Sequence, residues 1–149
     1  MQYTLKQFDA LTNIELYQLL KLRQEVFIIE QSCIYPDIDD KDKGSYHLLA
    51  FEGGTLLGGL RILGKGLTFD TVSIGRLLVV KNHRGCGIAR ALMRQALDFI
   101  VTEMQETRIK ISAQTYALPF YESLGFEMIS KKYLEDGIPH VDMIYISKN

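Results

Sequence analysis

The sequence predicts an α+β protein with a mostly antiparallel sheet, in which a central strand leads directly into a helix. Two observations predict this class. Strand-like runs at 46–52 and 55–63 are joined by Gly53-Gly54, a pattern typical of a β-hairpin. The stretch 77–97 places an apolar strand end, a glycine turn and an amphipathic helix in succession.

The elements before this hairpin are predicted to be a short strand and a long helix. Residues 2–8 alternate enough to form an edge strand. Thr12 and Glu15 have the spacing of a capping box, in which each side chain bonds the other's backbone N–H group. A broad apolar face then continues to about Glu30, which predicts a helix up to that residue.

Residues 31–45 are predicted to form an irregular, acidic loop. Its aspartates superficially suggest calcium, but Asp42 stands where a calcium loop needs its sharp-turn glycine, and no Glu occupies the twelfth position. Two interpretations remain open: a solvated loop, or a loop that attracts a cationic amine substrate.

The second half of the chain continues the alternation of strands and helices. Gly58-Gly59, inside a strand-like run, indicates a bulge or a close approach of two backbones. The remaining predicted elements are strands at 71–80, 108–114, 127–133 and 140–147, a helix carrying the apolar residues from Ala89 to Met104, a short helix at 116–126 with Pro119 and Gly125 near its ends, and a loop at 134–139.

The glycine turn has the composition of an anion-binding site. Gly85 and Gly87 let the backbone approach a ligand closely, and the first-turn N–H groups of the following helix point at it. Arg84 adds a positive charge, so we expect a phosphorylated ligand. The turn lacks the Lys-Ser or Lys-Thr of a P-loop, and Arg90 occupies the third glycine position of a dinucleotide fingerprint.

Composition excludes several other functions. The 149 residues are 47% hydrophobic and 23% charged, as in an ordinary soluble protein, and the length predicts one domain over residues 1–149. A net charge of −1 without basic runs argues against nucleic acid, and the short apolar runs argue against a membrane span. The N-terminus lacks a signal peptide, so we expect a cytoplasmic protein. The cysteine and histidine spacing predicts neither a disulfide framework nor a metal site.

Two motifs carry a resemblance to a known family. Arg84, Gly87 and Ala89 fill the pattern Q/R-x-x-G-x-G/A, and residues 120–126 match F-Y-x-x-x-G-F about thirty residues later. The chain therefore resembles the GNAT (Gcn5-related) N-acetyltransferases. The stretches 22–31, 74–76 and 135–140 are similar to the ElaA subfamily, and the resemblance spans nearly the whole chain.

The resemblance implies a GNAT fold with a sheet splayed at its centre and acetyl-CoA as cosubstrate. The backbone of Leu78, Val79 and Val80 would pair with the pantetheine arm, and the Val79 N–H group would polarise the thioester carbonyl. The pyrophosphate would be bound by the backbone amides of Arg84, Gly85, Cys86, Gly87, Ile88 and Ala89, with Arg90 at the start of the helix.

The resemblance also assigns catalytic roles. Tyr121 occupies the position of a tyrosine that protonates the leaving thiolate in many relatives. The glutamate that many relatives carry on the fourth strand is missing from 73–77, so the general base stays open between Glu30, His140 and a water chain. Structural alternatives stay open for all three side chains: Tyr121 as a core aromatic packed beside Phe120, Glu30 as a helix cap or as an ion-pair partner of Arg23, and His140 in contact with a backbone group.

Two functions follow from the resemblance. The first is an N-acetyltransferase that acts on an amine acceptor, either a small molecule or a peptide. The second is an acyl-CoA sensor or interaction module without turnover. Tyr121 favours the enzyme, because a sensor has no need of an acid. GNAT-like sheets often pair, which leaves a homodimer open.

Overall fold

A computed structural model describes residues 1–148 of the chain. These residues form a sheet of eight strands and three α-helices. The strands are β1 (Gln2–Gln7), β2 (Ser45–Glu52), β3 (Thr55–Leu63), β4 (Val72–Val79), β5 (Arg108–Gln114), β6 (Glu127–Met128), β7 (Tyr133–Glu135) and β8 (Ile138–Ile146). The helices are α1 (Asn13–Arg23), α2 (Ile88–Thr102) and α3 (Leu118–Ser123).

The sheet has the order β1-β2-β3-β4-β5-β8-β6, and β7 pairs with β8. Every pairing is antiparallel except that of β4 with β5. These two parallel strands pair only at Val72 with Ile109 and at Ser73 with Lys110, so the centre of the sheet is open beyond that point. The predicted α+β class and the mostly antiparallel, splayed sheet are confirmed.

A bulge in β4 lies next to this opening. Arg61 pairs with Gly75 and Gly59 pairs with Leu78, so Leu60 faces two residues of β4. One of those two, Arg76, has a φ of 53°, in the left-handed region that residues with a side chain rarely adopt. Because a bulge bends its strand, it turns the end of β4 away from the regular sheet.

The core has two parts, one on each face of the sheet. Helix α2 covers the larger cluster with its buried residues from Ile88 to Ile100, and α1 covers a smaller cluster around Leu49 and Leu78. The predicted close approach at Gly58-Gly59 is confirmed: a Cβ atom on Gly58 would lie 2.8 Å from the Leu78 carbonyl oxygen. Only glycine fits this contact between β3 and β4.

The first predicted helix is confirmed with a change of geometry. The Glu15 N–H group donates to Thr12 Oγ1 at 3.0 Å, and the Thr12 N–H group donates to Glu15 Oε1 at 2.9 Å, as a capping box requires. The α-helical turns end at Arg23, and Gln24–Glu30 continues as a wider π-helix. No helix within residues 1–148 is long and apolar enough to cross a membrane.

Two predictions near the C-terminus are wrong. The strand predicted at 127–133 is reduced to Glu127–Met128, and the loop predicted at 134–139 is a tight hairpin in which β7 pairs with β8. Asp136 and Gly137 adopt positive φ values of 51° and 78° and turn the chain in two residues.

The predicted helix with apolar residues from Ala89 to Met104 is slightly shorter in the structure, because α2 ends at Thr102.

Candidate active site

A cavity of about 350 Å³ lies at the opening between β4 and β5. The segment after the π-helix, the inner strands and the β7–β8 hairpin all contribute to its walls. Its polar and charged lining residues include Gln31, Tyr35, Asp39, Lys41, Arg61, Ser73, Arg76, Ser112, Gln114, Tyr121, Glu135, Asp136 and His140.

The end of β4 presents a backbone edge to this opening. The Val80 N–H group donates to the Leu57 carbonyl on β3 at 2.7 Å. Because backbone groups alternate in direction along a strand, the N–H and C=O groups of Val79 point to the opposite side, toward the splay. The Val79 carbonyl accepts a hydrogen bond there from Arg84 Nε at 2.9 Å.

The glycine turn that follows β4 is open to a ligand. Gly85 and Gly87 have φ values of 80° and 85°, and a Cβ atom built on either residue would meet no atom within 4 Å. Gly87 caps α2 without a side-chain hydrogen bond, so the first N–H groups of this helix have no capping side chain. Cys86 between them is exposed. An open glycine turn before a helix N-terminus is typical of anion-binding sites.

Most side chains of the residues predicted to bind acetyl-CoA do not point toward the glycine turn. Leu78 and Ile88 are buried in the two core clusters. Arg90 donates to Ser123 Oγ at 2.9 Å and lies over the Phe120 ring, which ties α2 to α3. The backbone amides of the turn, together with the Arg84 side chain, are therefore the groups suited to an anion.

Glu30, one of the predicted bases, forms an ion pair with Arg84. The two guanidinium nitrogens of Arg84 donate to the Glu30 carboxylate at 2.6 and 3.0 Å. These hydrogen bonds hold the pKa of Glu30 below its usual range, which makes the carboxylate a weaker base. The predicted pairing of Glu30 with Arg23 is wrong, because Arg23 binds Asp37 and Asp42.

Tyr121 and His140 line the same cavity. Tyr121 packs edge-on against Phe120 and Phe126, and burial raises the pKa of its hydroxyl. Nδ1 of His140 is 2.7 Å from the Ile138 carbonyl, which can only accept, so this nitrogen carries a proton. In the neutral ring Nε2 is therefore unprotonated. It lies 3.5 Å from the Glu135 carboxylate.

The acidic loop is neutralised by arginines, and both interpretations offered for it are wrong for three of its aspartates. Asp37, Asp39 and Asp42 bind Arg23, Arg61 and Arg76 at distances between 2.7 and 3.4 Å, which we call the Arg–Asp cluster. Burial would raise the pKa of Asp39 and Asp42, but the hydrogen bonds from arginine outweigh it and lower both. These carboxylates are all paired with arginine and are not free for an amine, and among them only that of Asp39, which is 21% exposed, keeps partial contact with solvent.

Comparisons with known proteins agree with this geometry. Residues 12–147 match the family described as "Acetyltransferase (GNAT) domain". The chain belongs to the GNAT family. It is 40% identical over 145 residues to the UPF0039 protein C11D3.02c of Schizosaccharomyces pombe, which covers 96% of this chain and 95% of that protein. It is 36% identical over 131 residues to protein ElaA of Escherichia coli, covering 87% and 86%.

Solved structures of other GNAT proteins have the same fold. A crystal structure of an acyl-CoA N-acyltransferase from Pseudomonas aeruginosa superposes with a TM-score of 0.91 at 37% identity, covering 97% of this chain and 99% of that one. The E. coli ElaA structure gives 0.90 at 32% identity, covering 97% and 98%. The predicted GNAT and ElaA-like assignments are confirmed, and acyl-CoA-dependent acyl transfer is the chemistry of this family.

Several residues of this GNAT site were not found from the sequence. The sequence patterns assign no role to Arg61 or Arg76, although Arg76 lies within the ElaA-like stretch 74–76. Ser112, which lines the cavity, and Tyr133 and Asp142, which follow it in a chain of hydrogen bonds, belong to no sequence motif. Only the strand register, which pairs Ser112 with Asp142, brings them together. Residues 1–148 contain no group of three or more His, Cys, Asp or Glu residues placed to hold a metal ion.

Proposed function

We propose that this GNAT protein is an N-acetyltransferase that moves the acetyl group of acetyl-CoA to a primary amine of a small molecule or peptide. The observation that carries the proposal is that three features lie along and directly after β4, where this strand separates from β5. These are the glycine turn, the backbone edge of Val79, and a cavity lined by Tyr121 and His140.

Acetyl-CoA would span the opening as an added strand. Its pyrophosphate would contact the amides from Arg84 to Ala89. Within Leu78–Val80, its pantetheine arm would pair with Val79, whose backbone groups point away from β3, and would replace Arg84 at the Val79 carbonyl. The Val79 N–H group would donate to the carbonyl oxygen of the thioester and stabilise the charge that develops on it.

Two side chains would move protons. Tyr121 keeps its proton at neutral pH because burial raises its pKa, and it would give that proton to the leaving thiolate. His140 Nε2 is a candidate base, held by the bond from Nδ1 to Ile138. Glu30 is the weaker candidate because Arg84 occupies its carboxylate.

The acceptor cavity favours an amine that arrives as a cation. Glu135 and Asp136 line it, and neither carboxylate contacts a Lys or Arg side chain within residues 1–148. The Arg–Asp cluster adds no net charge, since three arginines face three aspartates. Lys41 also lines the cavity, so the lining outside the cluster carries a net charge of −1, from Glu135 and Asp136 against Lys41, and this charge would attract an ammonium group.

The deciding experiment combines thermal stabilisation by acetyl-CoA with thiol release against amines such as polyamines, amino acids and lysine peptides. We expect both signals. Stabilisation without amine-dependent release would instead favour an acyl-CoA sensor.

Two variants then test the assignments within the site. Tyr121→Phe should keep CoA affinity and lower kcat, whereas Tyr17→Phe, at an exposed position on α1, should change neither. An unchanged kcat in Tyr121→Phe would remove this residue from the mechanism. Gly87→Glu should abolish CoA binding, and retained binding would show that the pyrophosphate lies elsewhere.

A further inference from the structure

Ser112, Tyr133 and Asp142 form a chain of hydrogen bonds that starts at the cavity. Ser112 lines the cavity, and its Oγ contacts the Tyr133 hydroxyl. Tyr133 Oη in turn lies 2.6 Å from Asp142 Oδ1. Ser112 and Asp142 are paired across β5 and β8, and β7 places Tyr133 beside them.

The direction of each hydrogen bond follows from the chemistry of the three groups. An ionised carboxylate can only accept, so Tyr133 donates its single hydroxyl proton to Asp142. The Tyr133 oxygen must then accept from Ser112. Burial, together with the bond to Asp142, raises the pKa of Tyr133 to about 12, so the hydroxyl keeps its proton at neutral pH. The lone pairs of Ser112 Oγ remain for a donor in the cavity.

We propose that Ser112, Tyr133 and Asp142 are a relay that takes a proton from the attacking amine of the acceptor. Ser112 contacts the amine nitrogen, and Tyr133 and Asp142 position the serine proton and draw it away from the cavity. This inference rests on the proposed N-acetyltransferase function and assigns its base.

The transfer is a concerted shift of three protons. After the amine nitrogen bonds to the carbonyl carbon, one N–H proton passes to Ser112 Oγ. The serine proton passes to Tyr133 Oη, and the tyrosine proton passes to Asp142 Oδ1. The C–S bond breaks, and the departing sulfur takes a proton from Tyr121. Asp142, which is half-buried, returns its proton to water, and Tyr121 regains one from water. The products are the amide and CoA thiol.

His140 is the competing route for the same proton. Its ring stacks on that of Tyr133 with centroids 6.1 Å apart, and Glu135 lies beside both residues. These side chains and Asp142 are the titratable groups that face Tyr133. A test of the relay must therefore separate it from a histidine base.

The first test is the rate of acetyl-CoA turnover in Tyr133→Phe and Asp142→Asn. Both substitutions keep the size of the side chain but interrupt the relay, and we expect kcat to fall about 100-fold with CoA affinity unchanged. Ser130→Ala is the matched control. It removes a hydroxyl that accepts from the Asp142 backbone at 2.8 Å but lies outside the relay, so kcat should stay at the wild-type value.

The second test is a proton inventory in mixtures of H₂O and D₂O, which a merely structural role would not move. Wild type should give a curved plot, because several protons move together, and Tyr133→Phe should give a straight one. A wild-type kcat in Tyr133→Phe and Asp142→Asn would overturn the relay, as would an unchanged inventory. A straight plot in the wild type, with kcat lost in His140→Gln but kept in Tyr133→Phe, would assign the proton to histidine. Absence of turnover in the wild type would instead overturn the acetyltransferase proposal itself.

Discussion

The Arg–Asp cluster and the Arg84–Glu30 pair use the same chemistry in opposite surroundings. The side chains of Arg23 and Asp42 are 1% and 7% exposed, whereas those of Arg84 and Glu30 are 40% and 34% exposed. A buried charge is costly to leave without its partner, while an exposed pair contributes little and exchanges readily. The cluster can therefore hold the cavity wall, whereas the Arg84–Glu30 pair can exchange partners, as the proposed contact of Arg84 with phosphate requires.

The largest effect is expected on breaking the buried cluster. Asp42→Asn removes the carboxylate shared by Arg23 and Arg61 and should lower the free energy of unfolding by about 3–5 kcal/mol, because two buried guanidinium groups lose part of their compensation. Chemical denaturation measures the change. Asp40→Asn, the same substitution at a side chain that is 89% exposed, should have almost no effect, and equal losses would show that the difference in burial is unimportant.

Acid should weaken the cluster in the same way. The folded-state pKa values of Asp39 and Asp42 lie below their unfolded values, so their contribution to stability is complete above about pH 4 and is lost as pH falls through the folded pKa values. Unfolding midpoints in urea at pH 7 and pH 3 measure the loss. It should be smaller in Asp42→Asn, and an equal pH dependence in that variant would assign the acid effect to other carboxylates.

Replacement of the exposed arginine should affect binding more than stability. Arg84→Ala should weaken CoA binding about tenfold, since it removes a charge-assisted contact to phosphate, and change the unfolding free energy by less than about 1 kcal/mol. Isothermal titration measures the affinity. Arg94→Ala, an exposed arginine on α2, is the control. Unchanged affinity in Arg84→Ala would mean that Arg84 stays with Glu30.

The smallest effect on binding is expected from replacing Glu30, the partner of Arg84 in the exposed ion pair. Glu30→Gln should strengthen CoA binding by about threefold, because the carboxylate no longer competes with phosphate for Arg84. The kcat should stay near the wild-type value, as measured by thiol release. A large fall in kcat would instead support Glu30 as the general base.

The sequence predicted those parts of the fold that depend on local signals. The Gly53-Gly54 hairpin, the capping box of Thr12 and Glu15, and the glycine turn after β4 each rest on a few adjacent residues, and the structure confirms these elements. The hairpin at Asp136-Gly137 was missed because its strand β7 has only three residues and no clear alternation.

Features that depend on distant residues were not predictable from the pattern. The loop 31–45 is acidic in sequence, yet three of its four aspartates bind arginines from α1, β3 and β4 that are far away in the chain. Ser112 and Asp142 are thirty residues apart and meet only through strand register. Tyr121 and His140 were named separately, and the fold brings both to one cavity.

Because β4 and β5 pair at only two positions, the sheet is incomplete at its centre. The halves on either side are joined through Val72 and Ser73, and further along Val79 pairs with no residue of β5, while its carbonyl accepts a hydrogen bond from Arg84 Nε. If acyl-CoA lies there as proposed, the substrate acts as a temporary strand and its amides join those of the protein. Amide hydrogen exchange at the end of β4 should then slow on binding, so that the protein becomes a continuous sheet only while it holds its substrate.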